Sequence, residues 1–186
     1  NSGLAVDTEN SSVTFIGTKP TGQHTGVVKL KEGSVINVEN GEITGGKFEI
    51  DLTYLVVTDL EGEMQTKLQG HLQSDDFFDV AQYPTATFEI TDIKPYDGQA
   101  TTEDGKADEK AANATHFVSG NLTLKGVTKN ISFPAAMKAS ESAAKARANF
   151  NIDRTLWGLT YGNDKSLGDR FINPQVNIQF EVMAGM

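Results

Sequence analysis

The chain has 186 residues, enough to bury one sizeable core and few for two, so we expect a single domain over 1–186. Its 18 Gly and 5 Pro, with 38% hydrophobic residues and ten Phe, exclude collagen-like and low-complexity chains and point to a globular fold. The 25 acidic against 16 basic residues, net −9, set the surface against nucleic acid and anionic membranes, and the absence of Cys removes disulfide scaffolds, thiol catalysis, iron–sulfur clusters and Cys-based zinc sites.

Apolar alternation begins with Val13 and Phe15 and continues through Val28 and Leu30, with Gly33 expected at a tight reversal. Asn40-Gly41 carries the chemistry of a type I′ hairpin. The clearest strand is 47–54, with Phe48, Ile50, Leu52 and Tyr54 on one face and Lys47, Glu49, Asp51 and Thr53 on the other. The run containing Leu55, Val56 and Val57 is among the longest apolar ones and far shorter than the roughly 20 residues that span a bilayer. No transmembrane segment is expected.

The pattern then changes period. Met64, Leu68 and Leu72 recur every four residues, predicting a helix over 61–73 whose apolar stripe faces the strands. Ser74 with Asp75 and Asp76 is expected to cap a second short helical turn carrying Phe77 and Phe78, ended by Tyr83-Pro84. Alternation resumes at Phe88 and Ile90, pauses in the polar stretch 99–115, which reads as an exposed mobile loop, and returns at Leu122 and Leu124. Lys125-Gly126 turns the chain into Ile131 and Phe133; Phe150 and Ile152 follow, then Val176, Ile178, Phe180 and Val182. These make about eight strands joined by short turns. We expect an all-β antiparallel meander closed into an eight-stranded barrel, because closure removes exposed edges, with the helical excursion covering one mouth.

Catalytic motifs are missing: there is no G-x-S-x-G, S-x-x-K, Walker loop or H-E-x-x-H. His24, His71 and His116 have no metal-motif spacing, and Asp104-Gly105 lacks a calcium loop's regular ligands, so no metal is expected. Asp75, Asp76 and Asp79 suit electrostatic support of a helix N-terminus better than acid–base chemistry. Arg154, beside Asp153, is either an ion-pair partner at a barrel end or a contact for a polar head group. Trp157 is a packing plug or a ligand contact, and His71 beside Leu72 is placed to reach a mouth. Four short sequons, at Asn10, Asn113, Asn121 and Asn130, are given no function.

Three stretches carry a resemblance: Asp76-Phe77-Phe78-Asp79, Tyr83-Pro84-Thr85-Ala86-Thr87-Phe88, and the run from Gly120 through Leu124-Lys125-Gly126 to Lys129. Together with Val6-Asp7, Ser12-Val13-Thr14-Phe15 and Asp153-Arg154 through Gly158, they resemble the YceI-like family over nearly the whole chain. The resemblance implies a lipocalin-like barrel holding a long polyisoprenoid or similar lipid, in the bacterial periplasm or exported. The chain departs from the family pattern in the insertion 99–115 and in the early histidine region ending at His24.

The expected lipid lining combines the alternating positions Phe15, Val28, Leu30, Phe48, Ile50, Leu52, Phe88 and Ile90 with Leu122, Leu124, Ile131, Phe133, Phe150, Ile152, Val176, Ile178 and Phe180. Leu68, Leu72, Phe77, Phe78 and Trp157 join them near the mouth, and His24, His71 and Arg154 are head-group candidates. We expect non-enzymatic binding, carriage or storage of a polyisoprenoid or isoprenoid quinone, with no cofactor and with homodimerisation open. The chain starts at Asn1 and not Met, so removal of an upstream signal peptide or lipid anchor is expected. The alternatives are a polysaccharide or surface module using Trp157, Tyr161 and Tyr96, and an enzyme such as a glycosidase or isomerase.

Overall fold

The computed structural model describes residues 2–96, 114–163 and 165–185, and most of the expected loop 99–115 lies outside them. Strands are β1 (Ser2–Ala5), β2 (Ser12–Lys19), β3 (Gly22–Leu30), β4 (Val35–Glu39), β5 (Glu42–Val57), β6 (Thr85–Pro95), β7 (His116–Leu124), β8 (Val127–Ala139), β9 (Ala143–Asp153) and β10 (Gln175–Gly185), with helix α1 (Gly62–Gln73) between β5 and β6. The ladder runs β5-β3-β2-β10-β9-β8-β7-β6 and closes through β5–β6. All these pairs are antiparallel, so the fold is an eight-stranded closed meander barrel with one helix.

The two additional strands lengthen existing staves. β4 pairs with β5 along the same edge as β3: Leu30 is opposite Ile50 and Val35 opposite Lys47. Since β3 and β4 are both antiparallel to β5, Gly33 marks a bend and not the reversal expected from sequence. β1 lies on β4, and Val6 then bridges to Ala184 of β10. The true reversals use the anticipated chemistry, with φ of 55° and 77° at Asn40-Gly41 and 49° and 76° at Lys125-Gly126.

The two ends of the barrel are built differently. At the far end, Val6, Leu30, Ile36, Val38, Ala144, Val182 and Ala184 form a buried stopper. At the other end, the mouth, lie α1 with turns 74–84 and segment 154–174 with its 3₁₀ turn Arg154–Trp157. Strand pairing also thins toward the mouth. β8 and β9 pair only from Ala136 opposite Arg147 to Ala139 opposite Ala144. Pro134, which has no N–H to donate, precedes this ladder. Beyond it the contact passes to side chains, with the Phe133 and Phe150 rings stacked 4.1 Å apart and 3° from parallel.

A bulge in β5 determines how α1 sits. Lys29 is opposite Asp51 while Val28 is opposite Leu55, so the residues between Asp51 and Leu55 have no partner on β3 and the strand changes parity. Ile50 lines the inside before the bulge, and Leu55 and Val57 are buried after it. Tyr54, expected on the inner face, is therefore outside and 42% exposed, beneath the Lys29 ammonium at 4.5 Å. The edge of β5 past the bulge is closed by glutamines spaced one helical turn apart on α1. Gln65 donates to the Val57 carbonyl (2.7 Å), the Val57 amide donates to Gln69 (3.0 Å), and Gln73 donates to the Leu52 and Thr53 carbonyls (3.3 Å each). Helix and strand edge thus satisfy each other's polar groups.

One expectation about this region is corrected and one is met as a turn. Leu68 and Leu72 pack on the core, whereas Met64 is 66% exposed because the first turn of α1 carries it clear of the wall. No second helix forms, but Ser74 caps the short turn carrying Phe77 and Phe78, its hydroxyl accepting from the Asp76 amide (3.4 Å) and its carbonyl from the Phe77 amide (3.1 Å). Its hydroxyl donates to the His71 carbonyl (2.6 Å) at the C-terminal end of α1, and Asp75 and Asp76 lie in the turns that follow.

Candidate functional site

The inward faces of the strands enclose a cavity of about 470 Å³ with an almost wholly apolar wall. Phe15, Val28 and Leu30 come from the first staves, Phe48, Ile50 and Leu52 from β5, and Phe88 and Ile90 from β6. Leu122, Leu124, Ile131 and Phe133 line it from β7 and β8; Phe150, Ile152, Val176, Ile178 and Phe180 line it from β9 and β10. Leu68, Leu72, Phe77 and Phe78 reach it from α1 and the turns after it. Its far end stops at Ile36, Ile43, Met137 and Val182.

Two glycines let aromatic rings pack close against this wall. Gly26 is directly opposite Phe15, and a Cβ there would run into the Phe15 ring; the Phe88 ring covers Gly120 in the same way. Each ring thereby takes the space that a side chain at the glycine would fill. Phe88, Phe133, Phe150 and Phe180 form an aromatic girdle, with Phe180 edge-on to Phe133 at 5.7 Å and to Phe150 at 6.2 Å.

Trp157 stands apart from the other expected lining residues. It is fully buried, its indole N–H donates to the Leu122 carbonyl (2.9 Å), and it is absent from the cavity wall. The plug reading is the one realised. Burial also removes Trp157 as a stacking platform for sugars.

The polar groups gather at the mouth, where His24, His71 and Arg154 all reach the wall. His24 Nδ1 lies 2.9 Å from Asp59, which also accepts the Thr25 amide at 3.1 Å. Burial opposes the Asp59 carboxylate, but those hydrogen bonds outweigh it and hold its pKa below 3.8. His71 Nε2 lies 2.9 Å from Asp76, and its ring stands edge-on to Phe77 at 5.0 Å and to Tyr161 at 4.8 Å.

Arg154 is 4% exposed, and the partners of its guanidinium are backbone carbonyls, where the sequence leaves an ion pair at a barrel end and a head-group contact both open. It donates to Leu159, to Ile172 (2.9 Å) and to Asn173 (3.4 Å), with the Phe77 ring 5.9 Å away. Burial pulls its pKa down while the nearby Asp153 charge opposes that shift. Asp153 itself accepts the Thr155 amide and hydroxyl, forming the cap of the 3₁₀ turn. Arg154 therefore holds segment 154–173 across the mouth while facing the lumen.

Asp79, the buried member of the early acidic cluster, accepts a hydrogen bond from Gln82 at 2.8 Å. His116 shares a hydrogen bond with Thr115 (2.7 Å), far from the mouth at the start of β7. Among the described residues no three His, Asp or Glu side chains converge as a metal site.

Several wall residues were missing from the lipid lining expected from sequence. Val13, Ile36, Ile43, Val118, Ala135 and Met137 extend the far half, while Leu159, Tyr161 and Ile172 complete the mouth. The alternation could have found Val118, which is in register with the inward Leu122 and Leu124. Leu159, Tyr161 and Ile172 lie in irregular chain with no period to read.

This combination of closed up-and-down ladder, apolar lumen and helix at one mouth defines a cavity-bearing lipocalin-like β-barrel. The chain belongs to the YceI-like domain family, whose pattern matches residues 4–184. A UPF0312 protein of Pseudomonas paraeruginosa is 35% identical over 100 residues, 53% of this chain and 44% of that protein. One of Azotobacter vinelandii is 34% identical over the same shares; the matched stretch is under half the length of these relatives. Among solved structures, BcnA of Burkholderia cenocepacia has a TM-score of 0.71 at 20% identity, covering 96% of this chain and 99% of that one. A polyisoprenoid binding domain from Saccharophagus degradans, implicated in plant cell wall breakdown, has a TM-score of 0.64 at 18% identity, with 98% and 97% covered. At these identities the structural likeness concerns the fold.

Proposed function

We propose that the protein binds and carries or stores one long apolar lipid, a polyisoprenoid or isoprenoid quinone, without chemical change to it. The observation that carries this reading is the cavity of about 470 Å³ walled by apolar side chains from every stave of the barrel. The YceI-like membership and the likeness to a polyisoprenoid binding domain support it. An isoprene unit has about five carbons, each contributing roughly 0.8 kcal/mol when buried. A few units thus exceed the roughly 8 kcal/mol of a micromolar complex before association costs. Arg154, the cation facing the lumen at the mouth, is engaged by backbone carbonyls, and the wall is almost wholly apolar, which favours a carrier over an enzyme. In this reading the protein acts in the periplasm or after export.

Native mass spectrometry of the purified chain, followed by solvent extraction, tests the proposal. One added lipid mass per chain is expected, and Val176→Trp, which takes volume from the lumen, should lower occupancy in a protein that still folds. Wild-type protein that carries no lipid and takes up none when offered a polyisoprenoid would overturn it.

A further inference from the structure

We propose that the mouth of the barrel docks on the surface of an electrically neutral lipid bilayer, with Met64 and Leu156 entering the interface beside the opening. This rests on the lipid-carrier reading and adds the place where cargo is exchanged. Four large apolar side chains are exposed among the described residues: Tyr54, Met64, Leu156 and Tyr161. Tyr54 belongs to the side wall, under Lys29. The other three stand on the two elements that frame the mouth, α1 and segment 154–174, and none stands on the stoppered end.

Their placement is continuous with the lumen. Met64 precedes His71 by two helical turns, so it lies on the same face of α1 as His71 and Leu68, both of which reach the cavity wall. The apolar stripe therefore continues past the rim and ends uncovered. Leu156 is 41% exposed between the buried Arg154 and Trp157 of the 3₁₀ turn, so its backbone is anchored while its side chain projects. Tyr161 joins the two elements, its ring 4.8 Å from His71 and 5.4 Å from Phe77. It carries the amphipathic ring favoured at a membrane interface.

Charge selects the kind of surface. Among the described residues, the elements at the mouth carry Asp59, Glu61, Glu63, Asp75 and Asp76 beside Lys19, Lys67, Lys125 and the buried Arg154, on a chain of net charge −9. An anionic surface is repelled there, whereas a zwitterionic one is not. Separate apolar tips around an opening also suit insertion into a soft interface better than the continuous packed patch of a protein complex. A long isoprenoid is sparingly soluble in water, so exchange proceeds best where the opening meets the bilayer.

Flotation of the purified chain with phosphatidylcholine vesicles, read beside the cargo mass from native mass spectrometry, tests the inference. The chain is expected to float with the vesicles equally at low and high salt. Met64→Asp combined with Leu156→Asp should lower the bound fraction about tenfold, with the melting temperature and cargo mass unchanged, since neither residue touches the lumen. Wild-type protein that ignores phosphatidylcholine, binds only when phosphatidylglycerol is added, or uses these residues to form a dimer would overturn the docking. Vesicle binding by a protein that never carries lipid would sustain the docking and count against the carrier reading alone.

Discussion

The stoppered end and the mouth are made from the same strands yet held by different means. At the stopper many small apolar contacts are shared among β1, β3, β4, β9 and β10, and Ile36 and Val38 are each 1% exposed. At the mouth the β8–β9 ladder is missing and a few side chains bind irregular chain: Trp157 to Leu122, Arg154 to three carbonyls, and the α1 glutamines to β5. Distributed packing resists opening as a unit, whereas an end held by single anchors opens locally at lower cost. The proposed uptake of a long lipid would use that asymmetry.

Removing an anchor should break the contrast most visibly. Trp157→Ala deletes a fully buried ring and leaves the Leu122 carbonyl without its indole donor, so a loss of about 3–5 kcal/mol is expected in denaturant unfolding. Hydrogen exchange should show segment 154–174 opening before the stopper. A loss below about 1 kcal/mol would mean that the mouth is redundantly packed.

A truncation in the stopper should be milder and functionally silent. Val38 is buried but does not touch the lumen, so Val38→Ala is expected to cost about 2 kcal/mol with lipid occupancy unchanged by mass spectrometry. Loss of cargo in a folded Val38→Ala protein would show that the two ends are coupled.

The smallest expected effect concerns acid. The folded pKa of Asp59 lies below 3.8, so its contribution is fully present above that value and is lost as pH falls through the lower folded pKa. Because Asp59 is partly solvated, the loss should be slight. It should appear as faster exchange of the Thr25 amide, and Asp59→Asn should reduce that acid dependence.

The legible part of this molecule was the part with a period. Two-residue alternation placed Phe48, Phe88, Leu122, Phe150 and Ile178 on the inner wall, and the four-residue spacing placed α1. The Gln65, Gln69 and Gln73 repeat was equally regular. Its meaning emerged only beside the β5 edge, because an amide side chain gives no indication of its partner until both are positioned.

Sequence by itself determined the antiparallel meander, its Asn40-Gly41 and Lys125-Gly126 turns and the helical excursion, because these follow from local backbone preference and side-chain period; the YceI-like resemblance rested on motifs such as Tyr83 to Phe88. Tertiary structure decided the rest. The β5 bulge turned Tyr54 outward, the overhang of α1 uncovered Met64, and closure of the ring placed Arg154 against the carbonyls of a segment up to 19 residues further along. Whether the aromatic faces would fill the barrel or line a space was also settled there. Alternation states which way a side chain points; only the joint packing of eight staves, with Phe15 close against Gly26 and Phe88 against Gly120, determines how much room is left between them.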